Sequence, residues 1–299
     1  MKALITGSRG LIGRRVWSLL RDAGHDTTGW DIIDGTDVRV MTRDDERHFD
    51  LVVHCAAVVG GRAMVESPLA HAANLEIDAS LFQWAERVRP GRIVYLSSCA
   101  AYPIALTDHT LEVPWGQFAT QPPPYEPLRE DQISWDMISL PDQLYGWEKL
   151  TGELLASRSS VPVTVVRPFA VYGENQNEAH PISAFARQIL NRADPVEIWG
   201  PGTQLRDFIH VDDVANAILA IAAQGAEGPV NICTGRAAFL AEIVKMLAYE
   251  EGYKPAIKTL PDMPAGVPYY VGNTEKLQQF YQPQISLESG LRRVLEEMR

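Results

Sequence analysis

The stretch "ALITGSRGLIGRRVW", starting at Ala3, constrains this chain more than any other. A short apolar run meets three glycines, Gly7, Gly10 and Gly13, and then a segment whose Leu11, Ile12, Val16, Leu19 and Leu20 recur at helical spacing. Glycines let a strand-to-helix turn be sharp and let a ligand approach the backbone closely. The helix start then aims unpaired N–H groups at whatever lies above the strand end, which suits an anion. The order is GxxGxxG and departs from GxGxxG, but the position is that of a dinucleotide fingerprint. Gly7, Arg9, Gly10, Leu11, Ile12 and Gly13 are therefore candidate cofactor contacts.

The same alternation continues. "TTGWD" at 27–31, "LVVH" at 51–54, "IVYLS" at 93–97 and "VTVVR" at 163–167 read as strands, with crossover-length segments between them. Such a pattern predicts an α/β fold with a parallel sheet covered on both faces. Beyond "RPFAVYG" the alternation loosens. A helix is expected over 181–192, another over "VDDVANAILAIAAQ", a strand in "GPVNICTG" and a helix in "LAEIVKMLAYEEG". The expected division is 1–167 mainly for the dinucleotide and 168–299 mainly for substrate, with segments around 205–225 returning to the first unit. Residues 103–143 are rich in proline and aromatics and read as an ordered loop or lid.

Asp31 ends the second strand, 18 residues past Gly13, where a carboxylate can accept from the adenosine ribose hydroxyls and repel the extra phosphate of NADP. That favours NAD. Arg9 pulls the other way, because a guanidinium beside the ribose can pair with that phosphate; it can also contact pyrophosphate or stay in solvent. Asp37 and Val38 are candidate neighbours of the adenine, and Ala56 and Ala57 of the dinucleotide backbone. A net charge of -11 speaks against a nucleic-acid surface, which wants a positive field. Cys55, Cys99 and Cys233 form no zinc, redox or disulfide pattern. No stretch has the length and apolarity to span a bilayer, and the opening "MKALITG" runs straight into folded sequence, so a reduced cytoplasmic setting is expected.

"YGWEK" places Tyr145 and Lys149 four residues apart in a predicted helix, so both can reach one cleft. Together with "TGSRGLIG", "HCAA", "YLSSCAAYP", "RPFAVYG" and "LRDFIHVDDVANAI", this motif resembles the extended short-chain dehydrogenase/reductase family, in its nucleotide-sugar epimerase and dehydratase branch. The resemblance covers nearly the whole chain. It implies a Rossmann-like doubly wound parallel sheet with a smaller α/β substrate-binding domain, NAD as cofactor, a nucleotide-sugar substrate and a homodimer built on long helices. By resemblance Tyr145 is the acid/base, and Lys149 holds the nicotinamide ribose and lowers the phenol's pKa. Physical chemistry agrees, because a phenol near about 10 needs positive charge nearby to act as a base at neutral pH. Ser98 matches the third member, with Ser97 a close rival. Asn74 resembles the family residue that supports the active-site region and is a candidate cofactor contact; Pro168 and the "RPFAVYG" loop are expected at the nicotinamide and sugar boundary, with Tyr172 either facing that cleft or packing as an aromatic; and Arg206 resembles the grip on substrate phosphate.

Departures narrow the reaction. Dehydratases of this family place Asp-Glu after the catalytic Ser or Thr, and decarboxylases keep an acid nearby; here the positions hold Cys99 and Ala100. The leading expectation is C4 epimerisation through a transient keto-sugar, and the first alternative is reduction of a keto-sugar or carbonyl. A 3,5-epimerase would use His180, in "EAHPISAFAR", and Cys99 as a second acid/base pair, although the family cysteine lies one position later, at Ala100. A non-catalytic dinucleotide-binding regulator is the alternative outside enzymes. The stretch "DMPAGVPYYVGNTEKL" lacks the second phosphate-binding Arg common in the branch, and Lys254 and Lys258 do not match its position. Ser98 and Tyr145 are 47 residues apart, more than is usual, and Trp115, Phe118, Tyr125, Trp135 and Asp136 are candidates to enclose an unusual substrate.

Overall fold

The structure is a computed structural model that describes residues 1–61, 64, 66–107, 125–135 and 140–299. Trp115, Phe118 and Asp136 fall outside the described residues. A six-stranded parallel sheet forms from β1 (Lys2–Thr6), β2 (Asp26–Trp30), β3 (Leu51–His54), β4 (Ile93–Leu96), β5 (Val163–Pro168) and, from much later in the chain, Val230–Ile232. Its spatial order is β2-β1-β3-β4-β5 followed by that last strand. Strand order reverses at β1, where a doubly wound sheet opens a crevice above the strand ends.

Alternate residues of each strand face opposite sides, and helices cover both. Ala3 and Ile5 of β1 join Val16 and Leu20 of α1 (Leu11–Asp22) in one core, together with Ile218 and Ile221 of the helix Val211–Gln224. Leu4 turns the other way and joins Trp30, Ile77, Leu81 and Trp84. That second face is covered by α2 (Val38–Asp44), α3 (Pro68–Val88) and α4 (Gln143–Arg158). Burial on both faces is why these strands read as continuous apolar runs. Each fully buried Leu or Ile contributes roughly 1.5–3 kcal/mol relative to exposure. α3 starts cleanly because Ser67 Oγ accepts from Ala70 N and Pro68 occupies the first turn, where its missing N–H costs nothing.

A smaller α/β layer follows. Its strands are β6 (Ala170–Tyr172), β7 (Val196–Trp199), β8 (Leu205–His210), then, past the Val230–Ile232 strand (β9), β10 (Ala237–Phe239), β11 (Ile257–Leu260) and β12 (Tyr269–Tyr270). β8 is its centre, pairing with β6, β10 and β12, while β7 and β11 form a separate parallel pair. The helices α5 (Pro181–Leu190), α7 (Leu240–Glu250) and α8 (Leu287–Met298) bury Phe185, Ile243, Leu247 and Leu291 against these strands; α6 is Val211–Gln224. The chain therefore crosses between layers within a few residues. β8 belongs to the small layer, α6 directly after it covers the large sheet, and β9 extends that sheet at its edge. Among the described residues no helix is long and apolar enough to cross a membrane.

Candidate active site

The crevice above β1 opens into a cleft of ≈ 570 Å³, within the size range of small-molecule sites. Gly7 has φ +66°, a conformation costly for residues with a Cβ, and a Cβ there would lie 2.7 Å from Ala56 N. At Gly13 a Cβ would overlap the carbonyl oxygen of Gly7. Gly10 stands at the N-cap of α1, which has no side-chain cap and no acid in its first turn. The result is a cradle of bare backbone and unpaired N–H groups, the surface a pyrophosphate needs. The residues present thus fit a dinucleotide.

Asp31 lies at one end of the cleft, just past β2. Its carboxylate accepts from Arg9 N at 2.8 Å and from Ile33 N at 3.0 Å, and it lines the cleft with Arg9, Ile32 and Ile33. Leu11, Ile12, Ala56, Ala57 and Pro168 also line it. Three expected contacts, Asp37, Val38 and Asn74, do not. Asp37 caps α2 and is tied to Arg39 at 2.6 Å, and Val38 packs into the core beneath β2. Asn74 is likewise off the cleft wall. Its side chain accepts from Val58 N at 2.6 Å and donates to Val58 O and Glu148 Oε1, so it braces the loop after β3 from behind.

Ser98, Tyr145 and Lys149 converge at the other end. Ser98 follows β4 by two residues and caps the short turn Cys99–Ala101, accepting from Ala100 N at 3.1 Å, and it lines the cleft with Tyr145. Ser97 points into a different network, where it donates to Glu153 Oε1. The Lys149 ammonium sits 5.8 Å from the centre of the Tyr145 ring and 5.7 Å from that of Tyr95. Burial raises the Tyr145 phenol above its usual value, and Lys149 and Ser98 pull it down without cancelling that rise. Burial acts to lower Lys149, but the surrounding Tyr145, Asp78 and Glu148 more than offset it, so its ammonium is held above the ordinary lysine value.

Asp78 had no signal in the sequence. It is buried on α3, accepts from Tyr95 Oη at 2.6 Å and lies 3.0 Å from His54 Nε2, while Thr6 Oγ1 sits 2.7 Å from His54 Nδ1. His54 and Cys55 also line the cleft, and "HCAA" is the only sequence mark of their loop. Glu148, beside Lys149, lies 2.5 Å from His71 Nδ1.

Arg206, Phe208, Tyr172 and His180 also line the cleft. Neither Asp207 nor Asp212 occupies Arg206. Asp207 accepts from Thr234 and Gly235, and Asp212 is paired with Arg15 and Arg293. The Arg206 guanidinium instead lies 5.7 Å from the ring centre of Tyr270, its cross-strand neighbour. Lys258 pairs with Glu197 outside the cleft. Tyr125 packs against Tyr269, and Trp135 is exposed, neither lining the cleft. Burial lowers His180 and pushes the Cys99 thiol up to about 12; Cys99 packs under Tyr102 and Phe169 and is not on the cleft wall. Among the described residues no cluster able to hold a metal is present.

The sequence pattern of the NAD dependent epimerase/dehydratase family matches residues 3–233. The chain belongs to that family. It is an enzyme of the NAD-dependent class. It is similar to GDP-L-fucose synthase 1 of Arabidopsis thaliana, at 24% identity over 97% of this chain and 90% of that one. It is also similar to dTDP-4-dehydro-6-deoxy-D-allose reductase of Streptomyces bikiniensis, at 26% identity over 86% of this chain and 77% of that one. Its fold matches the UDP-glucose 4-epimerase of Thermotoga maritima solved with UDP-glucose, with a TM-score of 0.84, 24% identity and coverage of 100% and 99%. These names span synthase, reductase and epimerase, so family membership leaves the reaction open.

Proposed function

We propose that this protein is a nucleotide-sugar epimerase acting at C4 through a transient keto-sugar. One observation supports this reading above the rest: Ser98, Tyr145 and Lys149 line the same cleft as the glycine turn. Gly7, Gly10 and Gly13 would hold the NAD pyrophosphate, Asp31 the adenosine ribose and Lys149 the nicotinamide ribose. NAD, when bound, supplies a reversible two-electron acceptor and a positive charge near the phenol. Tyr145 Oη takes the proton of the C4 hydroxyl and returns it to the same oxygen once the keto-sugar has presented its other face. Positioned proton transfer of this kind is worth about 10²–10⁴-fold. Ser98 Oγ hydrogen-bonds the reacting oxygen, and Lys149 supplies the field that favours the phenolate. Arg206 meets the substrate phosphate with its donor fork.

Two features favour this reading over its neighbours. Cys99 and Ala100 leave no carboxylate for elimination. The two-base scheme of a 3,5-epimerase retains His180 on the wall, but its other member is a partly buried thiol off the wall. A homodimer is part of the proposal, supported by the exposed stripe Leu144, Trp147, Leu154 and Leu155 on α4, with Leu69 also exposed on α3, the helix packed against it. Apolar surface gathered in this way marks an interface more often than chance exposure.

Incubation with NAD and UDP-, GDP- and dTDP-hexoses in D₂O, with products resolved by mass and proton NMR, tests the reaction. The expected product is a C4 isomer, with no net NADH and no deuterium at C3 or C5. Stoichiometric NADH consumption on a keto-sugar would make the protein a reductase. Deuterium at C3 or C5 would restore the two-base scheme, and cofactor binding without turnover would make it a regulator.

A further inference from the structure

One turn of chain presents two carboxylates to Arg9. Asp31 caps the 3₁₀ turn Ile32–Asp34, which Gly35 closes with φ +75°. Residues three apart in such a turn eclipse one another. Asp31 accepts the backbone N–H of Arg9, and Asp34 takes its side chain. Arg9 Nε donates to Asp34 Oδ2 at 2.7 Å, and Arg9 Nη2 donates to Asp34 Oδ1 at 3.0 Å. These two nitrogens form the guanidinium edge that grips a carboxylate or phosphate in bidentate fashion. Arg9, Asp31, Ile32 and Ile33 all line the adenosine end of the cleft.

We propose that Asp34 is a cofactor-selectivity residue, which occupies the donor fork of Arg9 and so denies that guanidinium to a 2′-phosphate. The proposal rests on the assignment of the adenosine ribose to Asp31. With Asp34 present, the charges at this corner are two carboxylates against one guanidinium, and a phosphate adds roughly two more negative charges. NAD, which carries a hydroxyl there, meets only the acceptor it needs. Without Asp34 the same Arg9 becomes a phosphate ligand within the existing backbone. The pair is exposed and so contributes little to folding, which keeps variants at Asp34 interpretable.

Calorimetric Kd values for NAD and NADP test this on the full-length protein and on Asp34→Asn, Asp34→Asn with Arg9→Met, and Asp31→Ala. In Asp34→Asn the ratio of the NADP Kd to the NAD Kd should fall about tenfold, a change of about 1.4 kcal/mol. Adding Arg9→Met should erase that gain. Asp31→Ala should weaken NAD binding. An unchanged ratio in Asp34→Asn overturns the proposal while leaving the ribose assignment standing. A gain that survives Arg9→Met also overturns it, because loss of a negative charge alone then accounts for the effect. If Asp31→Ala binds NAD as tightly as the parent, the ribose assignment fails and takes the proposal with it.

Discussion

Burial raises the phenol of Tyr145, and Lys149 and Ser98 act against that rise. The sign of a Lys149 variant follows. Removing the ammonium takes away a positive charge that lowers the phenol, so the pKa climbs further and the phenolate forms only at higher pH. At saturating NAD, Lys149→Met should shift the rising limb of the pH–kcat profile to higher pH, and Lys149→Arg should hold it near the parent's. A limb that does not move in Lys149→Met would remove Lys149 from the acid/base account. Tyr145→Phe has no proton to exchange at all, and its kcat should drop by about 10²–10⁴ while substrate still binds. Stopped-flow and calorimetry separate the two effects, and parent-like turnover in Tyr145→Phe would end the proposed role. The two serines show what register decides. Both follow β4, but Ser97 turns into the Glu153 network and Ser98 into the cleft, because successive strand side chains point to opposite sides.

At the scale of elements, α4 must be held in place for its Tyr145 and Lys149 to meet the glycine turn. Glu153, one helical turn past Lys149, forms a two-pronged pair with Arg167 of β5, at 2.7 and 2.9 Å. The two side chains are 3% and 2% exposed. Arg167 also donates to Tyr102 Oη and to Glu130 O, while Glu153 accepts from Ser97. One buried network thus ties α4 and β5 to the residue that follows β4, close to Ser98, Tyr145 and Lys149. Arg167→Met would strand the Glu153 carboxylate in the interior, at an expected cost of about 3–5 kcal/mol. Chemical denaturation should show that loss, and Arg167→Met with Glu153→Met should recover a large part of it. A single variant within about 1 kcal/mol of the parent would contradict the account, since stranded buried charges cost more than that. Gly152 has a related role. It lies on the face of α4 against Tyr95, and a Cβ there would overlap Tyr95 Oη and come within 2.7 Å of Asp78 Oδ2. Helix and sheet approach this closely because that position carries no side chain.

For the whole molecule, the proposed dimer makes a direct prediction. Trp147→Asp places a charge in the exposed stripe of α4 without touching the cleft, and light scattering should then report monomer where the parent gives dimer. A parent that is monomeric at micromolar concentration would withdraw the dimer. Local patterns were enough to reveal much of this architecture. Strand–helix alternation is a period written into neighbouring residues, so the parallel sheet and its two covered faces were readable from Ala3, Ile5 and Leu4 onward. The glycine turn, Asp31 at its strand end and the four-residue step from Tyr145 to Lys149 are equally short-range signals. Asp37 and Val38 show where such reading stops, because adjacency to a strand end did not reveal that one would pair with Arg39 and the other enter the core. Asp78 beside Tyr95, Glu153 against Arg167, and Tyr270 under Arg206 join segments between 14 and 64 residues apart. No local period encodes those meetings. They arise from how the helices seat on the sheet, and from where a buried charge can find a partner.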